Sequence, residues 1–218
     1  MNLNWKSALL ASALLAAGSV PAAASVLYNQ PYDGTGNLYA SQNDTNVGGY
    51  GNFATVYDNF TLGGTSIIND VAWTGGYFNG SPAPIAQFTV TFWADNAGQP
   101  GGSLASYVIA GNANETLLNG QIYTYDAAVA FAAAAGTQYW LSVVPDIGFP
   151  PQWGWASGTG GDGVAYQDFF GNRTNLGVDM AFTLSGSSGV PEPVSFSLAG
   201  IGLGLVGLAS WKRRKQGA

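Results

Sequence analysis

The segment "IAQFTVTFWADNAGQPGGSLASYVIA", residues 85–110, contains the clearest strand pattern of the chain. In its first half, Phe88, Val90 and Phe92 alternate with mostly polar residues, a period of two that is typical of a strand with one buried face. The alternate positions carry Gln87, Thr89, Thr91 and Trp93. The stretch 96–102 supplies turn residues, and a second apolar segment follows it. We therefore predict an antiparallel β-hairpin.

Further strand-like segments recur along the chain. They are residues 55–62, 66–73, 121–131, 138–144 and 178–184. The alanine-rich stretch from Ala127 is also compatible with a short helix, but Gly136 closes it early, so we prefer strand followed by loop. No internal repeat is present. The pattern predicts an all-β chain with a single β-sandwich domain of jelly-roll type at residues 25–189, and a small closed barrel is the alternative.

The first 24 residues have the pattern of a secretory signal peptide. One cation, Lys6, precedes an apolar stretch from Ala8 to Ala17. Small residues at Ala22 and Ala24 then fit a cleavage site before Ser25. We expect the chain to be exported.

The last 29 residues, 190–218, have the pattern of a membrane anchor. The 18 residues of 194–211 carry no charge, and as a helix they would reach about 27 Å, close to the roughly 30 Å hydrocarbon thickness of a bilayer. Four cations follow at once and favour a cytoplasmic end. They are Lys212, Arg213, Arg214 and Lys215. We expect the rest of the chain to face outward.

The residues before this apolar stretch are Val190, Pro191, Glu192 and Pro193. The two prolines keep the segment extended and accessible, because each lacks an N–H and fixes φ. Motif, apolar helix and basic end together resemble the PEP-CTERM sorting signal. The resemblance implies processing by an exosortase in the inner membrane of a Gram-negative bacterium. It also implies delivery from a membrane-anchored precursor to the cell surface or the extracellular polysaccharide matrix. Residues 25–189 are loosely similar to the β-sandwich domains found before such tails.

Charge and composition narrow the function of the central domain. Between residues 25 and 189, Arg173 is the only cation against eleven acids, a formal charge of −10. Such a domain repels nucleic acid and anionic lipid, so neutral glycans, cations, or anionic polymers bridged by cations are the expected partners. The chain has no Cys and no His, which removes the usual nucleophile pairs and the commonest general base. Glu115 is the only glutamate in the domain, and no paired-carboxylate spacing is present, so we expect no enzymatic activity.

Aromatic residues provide a candidate glycan-binding surface. In "GFPPQWGW", residues 148–155, Trp153 and Trp155 are two apart, so in extended chain both rings face the same way. Flat rings beside polar groups suit sugars, and Tyr166 is a third candidate. Tyr77, Phe78, Phe169 and Phe170 could extend the surface. The alternative is that these rings fill the ends of the sandwich.

Aspartates on glycine-rich turns provide candidate Ca²⁺ ligands. They are Asp33, Asp95 and Asp162. Aspartate is equally a common turn residue, and no complete EF-hand motif is present. The sequence as a whole predicts a non-enzymatic structural or adhesive protein of the cell surface, matrix or biofilm. A carbohydrate-binding module, with Ca²⁺ as a candidate cofactor, is the alternative, and a polysaccharide-active enzyme is a more distant one.

Overall fold

A computed structural model describes residues 24–188, which form fifteen strands and no helix. The strands are β1 (Ser25–Gln30), β2 (Leu38–Ala40), β3 (Gln42–Asp44), β4 (Gly51–Thr61), β5 (Ser66–Phe78), β6 (Gln87–Asp95), β7 (Pro100–Ala110), β8 (Thr116–Asn119), β9 (Ile122–Ala133), β10 (Gln138–Asp146), β11 (Gln152–Gly158), β12 (Ala165–Phe169), β13 (Asn172–Asn175), β14 (Asp179–Met180) and β15 (Phe182–Ser188). Residues 1–23 of the predicted signal peptide, the predicted sorting motif and the predicted anchor lie outside the described residues. Within them, no helix is long and apolar enough to cross a membrane.

The strands form two sheets. The first has the order β1-β15-β5-β11-β14, with β9 also paired to β5, β8 to β9 and β2 to β11. The second has the order β13-β12-β4-β3-β10-β6-β7, and β4 also pairs directly with β10. The short contact between β3 and β10 is parallel, whereas the other pairings are antiparallel. The all-β prediction is confirmed, and the two-sheet arrangement is consistent with a β-sandwich.

The core lies between the two sheets, and strand alternation determines which side chains enter it. Phe88, Val90 and Phe92 on β6 are fully buried, as their period of two predicted. Phe92 stacks on Phe131 of β9 with ring centroids 4.2 Å apart, so it joins one sheet to the other. The predicted hairpin is formed by β6 and β7, which pair in antiparallel register. The alanine-rich stretch is part of β9, which confirms the preference for strand.

One buried carboxylate connects two strands of the domain. Asp58 on β4 accepts N–H groups from Asn59 at 2.7 Å and from Met180 on β14 at 2.5 Å. Burial raises the pKa of Asp58 well above its usual value, and these two backbone donors only partly oppose that effect. Asp58 therefore serves the packing of the fold, and its oxygens are not open to solvent.

Both ends of the described segment leave the domain on the same side. Ser25 pairs with Gly186, and Ser188 pairs with Ser66, which is the first residue of β5. The other end of β5, at Phe78, is twelve residues away, or about 40 Å at the usual rise per residue of a strand. Both sheets and their common core are built from residues 24–188, as an independently folding domain requires.

Candidate functional site

A cleft of about 280 Å³ lies on the outer face of the second sheet. It is lined by side chains from β3, β4, β6 and β10. Hydroxyl and amide groups come from Asn43, Asn52, Thr55, Thr89, Thr91 and Ser142, and aromatic rings come from Tyr57 and Trp93. No acidic or basic side chain is among the lining residues.

The alternation that buries one face of each strand sends these side chains to the other face. On β6, Thr91 and Trp93 are the outward neighbours of the buried Phe92. Across the sheet, Ser142 pairs with Thr91 on one side and with Tyr57 on the other. Three strands that are distant in sequence therefore place hydroxyl and aromatic groups in one row.

The two aromatic rings of the cleft contact each other. Trp93 and Tyr57 have ring centroids 5.4 Å apart and planes inclined by 76°, an edge-to-face arrangement. The indole N–H of Trp93 donates to Ser142 Oγ at 3.0 Å. Trp93 is partly exposed, whereas Tyr57 is buried at 6% exposure. The hydrogen bond and the contact with Tyr57 hold the indole in one orientation at the cleft.

Arg173 lies over the ring of Tyr57, with its guanidinium carbon 5.3 Å from the ring centre. Its Nε and Nη2 donate to the two oxygens of Asp168, each at 2.8 Å, and its Nη1 donates to the carbonyl of Pro100 at 3.0 Å. This side chain connects the β12–β13 hairpin to the first residue of β7, beside the cleft.

The charges beside the cleft neutralise each other. The hydrogen bond from Arg173 lowers the pKa of Asp168, and the same contact raises the pKa of Arg173. Burial, followed by the repulsion of Asp168, raises the pKa of Tyr57 to about 12, so its hydroxyl stays protonated at neutral pH. A ligand in the cleft therefore meets neutral donors and acceptors.

Trp153 and Trp155 do not form a glycan platform, and that prediction was wrong. Both are fully buried, with 0% exposure. Trp153 donates its indole N–H to the hydroxyl of Tyr125 at 3.0 Å, and Trp155 donates to the carbonyl of Ala181 at 2.9 Å. The two rings do face the same way, but that way is into the core, where Trp153 packs on Phe88 of the second sheet and Trp155 packs on Phe182. The alternative stated for these rings, core filling, is what the structure shows.

The third predicted glycan residue, Tyr166, lies beside the cleft. It is partly exposed on β12 and pairs across the strands with Tyr57. Its ring contacts Trp140 at 5.5 Å. Tyr166 can therefore extend the aromatic rim of the cleft, although it is not among the lining residues.

The other aromatic residues predicted for the glycan surface do not lie together. Tyr77 is buried at 3% exposure. Phe169 and Phe170 are exposed and join a cluster at the end of the domain, together with Tyr50, Phe53 and Phe149. We call these five rings the end cluster. They surround an apolar pocket of about 210 Å³ that also contacts Gln152.

The three predicted calcium ligands lie on separate turns and already accept protein hydrogen bonds. Asp33 accepts from the N–H and the hydroxyl of Thr35, both at 2.8 Å. The indole N–H of Trp140 donates to Asp95 at 2.9 Å, and the amide of Asn59 donates to Asp162 at 3.1 and 3.2 Å. Residues 24–188 contain no group of three or more acidic, histidine or cysteine side chains arranged to hold a metal. The calcium prediction thus has no preassembled site in this segment.

The alternation along β6 indicated that Trp93 faces outward, but no motif marked it as a site residue. Trp93 occupies one of the alternate positions of β6, where the other residues are polar. Such a position implies a partly exposed side chain. Tyr57 gave no such signal, because the next residue, Asp58, is charged yet faces inward and is buried, which obscures the alternation of apolar and polar residues along β4.

Neither a family model nor a curated protein matches the chain. Its function is therefore inferred from the cleft and from the motifs at the two ends of the sequence.

Proposed function

We propose that this chain is an exported, non-enzymatic protein whose jelly-roll-like domain binds a neutral extracellular polysaccharide in the cleft on the second sheet. The observation that carries the proposal is the row formed by Tyr57, Ser142 and Thr91, together with the partly exposed indole of Trp93. Sugar rings have apolar faces that pack on aromatic rings, and hydroxyls that exchange hydrogen bonds with Ser, Thr and Asn. The cleft offers both kinds of contact within one site.

The electrostatics favour a neutral glycan over an acidic one. The domain carries a formal charge of −10 between residues 25 and 189, and its one cation, Arg173, is held by Asp168. An acidic polysaccharide or a nucleic acid meets repulsion that is strongest at low salt. Neutral glycan binding has no such salt dependence. Ca²⁺ remains a candidate bridging ion for acidic polymers, through the exposed aspartates.

Binding without catalysis fits the absence of carboxylates among the cleft-lining residues. Glycoside hydrolysis requires two carboxyl groups that flank the sugar. The nearest paired acid, Asp168, is engaged by Arg173 and by the hydroxyl of Tyr57 at 3.2 Å. A polysaccharide-active enzyme is therefore the less supported alternative.

The route to the surface is proposed from the sequence motifs. The signal peptide directs export, and the tail at 190–218 holds the precursor in the inner membrane until an exosortase removes it. Ser25 pairs with Gly186, so the proposed signal peptide and the proposed tail would both attach at one end of the domain. The cleft is then free to face the matrix of the Gram-negative cell surface.

A second candidate function is a structural or adhesive role without a glycan ligand. The end cluster favours it, because Tyr50 and Phe170 are 54% and 56% exposed and form an apolar surface. The two candidates differ in which aromatic residues the activity needs.

The test is affinity electrophoresis of residues 24–188 in gels that contain neutral or acidic polysaccharide. We expect retardation in a neutral glycan, unchanged by added salt. Retardation in acidic glycan that appears with Ca²⁺ and disappears with chelator would instead identify calcium bridging. Free migration in every gel would contradict the glycan proposal and favour the structural role.

A further inference from the structure

The end cluster encloses a pocket that shares no lining residue with the cleft. Phe53 is buried at 5% exposure, and the other four rings contact it. Tyr50 and Phe149 meet Phe53 edge-to-face at 6.0 and 6.1 Å, and Phe170 stacks on it at 5.3 Å. The pocket of about 210 Å³ is smaller than the roughly 300–1,000 Å³ of sites for drug-sized ligands, so it suits one small chemical group.

Gln152 is the buried polar side chain of this pocket, at 8% exposure. Its Oε1 accepts from the amide of Asn79 at 3.3 Å, whereas its Nε2 donates to no protein atom in the described part of the chain. This nitrogen is not enclosed by protein, in contrast to the unpaired indole N–H of Trp73. A largely buried amide nitrogen without an acceptor is unfavourable. The pocket therefore favours an occupant that brings an acceptor oxygen to Gln152.

Phe170 occupies a turn position that disfavours a bulky side chain. Phe170 and Gly171 form the two-residue turn between β12 and β13, and both have positive φ, 48° and 79°. Such turns favour Asn-Gly, because a bulky residue is strained in the left-handed region. The ring of Phe170 is 56% exposed, so burial explains little of its presence there. It provides one wall of the pocket, and strained residues of this kind cluster at ligand sites.

Charge and hydrogen bonding limit what the pocket can hold. None of its lining residues is charged, and Arg173, the one cation of residues 25–189, is held by Asp168, so an anionic group finds no counter-charge. Aromatic rings attract cations, but the free N–H of Gln152 presents a positive hydrogen to the same space. A purely apolar group leaves that donor unpaired. The remaining class is a neutral group with an acceptor oxygen and an apolar part.

The number of polar groups separates a small substituent from a whole sugar ring. The lining offers the amide of Gln152 and the hydroxyl of Tyr50, whereas a sugar ring carries several hydroxyls that need partners when they are buried. The cleft, with six hydroxyl or amide side chains, suits such a ring better. An acetamido group has one carbonyl oxygen, which can accept from Nε2 of Gln152, and one methyl group, which can pack against the rings.

The pocket lies at the end of the domain that is opposite to the ends of the described segment. Gln152 pairs with Phe78, the last residue of β5. Ser188 pairs with Ser66, the first residue of the same strand. A domain that is held by either end of this segment therefore presents the pocket outward.

We propose that the pocket of the end cluster binds the acetamido group of an N-acetylated amino sugar, with the carbonyl oxygen accepting from Nε2 of Gln152 and the methyl group among the rings. The choice of a sugar as the carrier rests on the proposed function. Asn52 lines the cleft, and the next residue, Phe53, lines the pocket. Four residues of β4, or about 13 Å, separate Phe53 from Tyr57 in the cleft. One polysaccharide chain can therefore lie in the cleft and place a substituent in the pocket.

NMR titration of ¹⁵N-labelled residues 24–188 tests the pocket with single sugars. We expect the methyl glycoside of N-acetylglucosamine to shift the side-chain amide signal of Gln152. Its affinity should exceed that of methyl glucoside by about tenfold, because glucose leaves the amide donor unpaired. Equal affinity of the two glycosides would overturn the proposal. Tighter binding of choline, or of N-acetylalanine methylamide, would also overturn it, since the occupant would then be a cation or a peptide.

Two variants separate binding from folding. Phe170→Asn removes one wall of the pocket but gives the turn its preferred residue, so the thermal midpoint should stay or rise while the preference for the acetylated sugar falls. Gln152→Met keeps an unbranched side chain without the amide, and it should lose the preference as well. The matched control is Val26→Asn, since Val26 is 64% exposed at the opposite end of the domain. If both folded variants keep the tenfold preference, the proposal is wrong.

A neutral polysaccharide without acetamido groups separates this site from the cleft. Its binding should depend on Trp93 and not on Phe170, so it is the ligand with which an end-cluster variant is a valid control for the cleft. An N-acetylated polysaccharide should depend on both residues. If the N-acetylglucosamine glycoside binds at Gln152 while no polysaccharide binds, the proposed function fails and the acetamido pocket stands. If the unacetylated polymer binds through Trp93 and acetylation adds nothing, the pocket proposal fails alone.

Discussion

The indole of Trp93 on β6 meets the ring of Tyr57 on β4 across the intervening strand β10, with ring centroids 5.4 Å apart and planes inclined by 76°. Ser142 on β10 lies between the two strands and accepts the N–H of Trp93. The contact therefore depends on the correct register of three strands. It defines the aromatic part of the proposed glycan site.

Trp93→Ala should weaken binding of a neutral glycan several-fold, because one aromatic contact contributes about 0.5–1.5 kcal/mol beyond its burial. The measurement is affinity electrophoresis or titration calorimetry on residues 24–188, with circular dichroism to show that the fold remains. The control is Tyr50→Ala in the end cluster, which removes an exposed ring away from the cleft. Loss of binding in Tyr50→Ala alone would place the site at the end cluster and not in the cleft.

Trp155→Ala should lower the free energy of unfolding by about 3–5 kcal/mol, as expected for removal of a fully buried tryptophan. The change also leaves the carbonyl of Ala181 without its indole donor. Urea denaturation measures the effect. A variant with native stability but no glycan binding would show that the ring reaches the ligand after all.

Asp168→Asn should lower stability at neutral pH by about 1 kcal/mol or less, because the Asp168–Arg173 pair is partly exposed. The pKa of Asp168 is lowered in the folded state, so its carboxylate stabilises the fold above the unfolded value of 3.8, and this contribution is lost as the pH falls through the folded pKa. The difference in free energy of unfolding between Asp168→Asn and the unmodified domain should therefore shrink in acid. Urea denaturation at a series of pH values measures it.

Asp70→Asn should change the free energy of unfolding at neutral pH in the opposite direction from Asp168→Asn. Burial, followed by the repulsion of Asp126, raises the pKa of Asp70 in the folded state, so its charge destabilises the fold at neutral pH. The variant should be more stable than the unmodified domain at pH 7 and should lose this advantage as the pH falls through the raised pKa of folded Asp70 towards 3.8. Equal pH dependence in Asp70→Asn and Asp168→Asn would contradict both assignments.

Gly76→Ala should destabilise the domain by roughly 1–3 kcal/mol, the usual cost of overpacking. A Cβ at Gly76 would overlap the backbone carbonyl of Gln121, which cannot rotate away as a flexible side chain could. Gly63→Ala is the control, since a Cβ there meets nothing within 4 Å. Thermal and urea unfolding compare the two. Equal stability of both variants would show that β5 and β9 are less closely apposed than described.

The mature protein should begin near Ser25 and end near Pro193, with the cations at 212–215 removed. Intact-mass analysis of the protein recovered outside the cell measures both ends. Replacement of Glu192 by Ala should leave the precursor in the inner membrane if the motif is an exosortase signal. Unchanged secretion and mass in that variant would show that the motif is only a linker.

Much of the fold could be predicted because alternation is a local property. Phe88, Val90 and Phe92 had to face one way and Trp93 the other once that segment was a strand, whatever its partners. The β6–β7 hairpin followed as well, because its turn residues adjoin its strands. These predictions required no knowledge of distant parts of the chain.

The candidate site could be predicted only in part. The preference for neutral ligands came from the charge balance, which composition alone gives. Tyr166, which the sequence suggested as a glycan-binding residue, is partly exposed beside the cleft, whereas Tyr57 was missed. The aspartate that follows Tyr57 faces inward, so the alternation of apolar and polar residues did not mark Tyr57 as an outward residue of the cleft.

Local patterns in the sequence were enough for an all-β chain, for the inward and outward faces of its clearest strand, and for the acidity of residues 25–189. The packing of the two sheets was needed to place Trp153 and Trp155 in the core and Trp93 at the border of the cleft. Spacing shows that two rings share a face, but burial depends on which sheet covers that face. That covering comes from strands far away in sequence, such as β6, which brings Phe88 against Trp153 with ring centroids 5.4 Å apart.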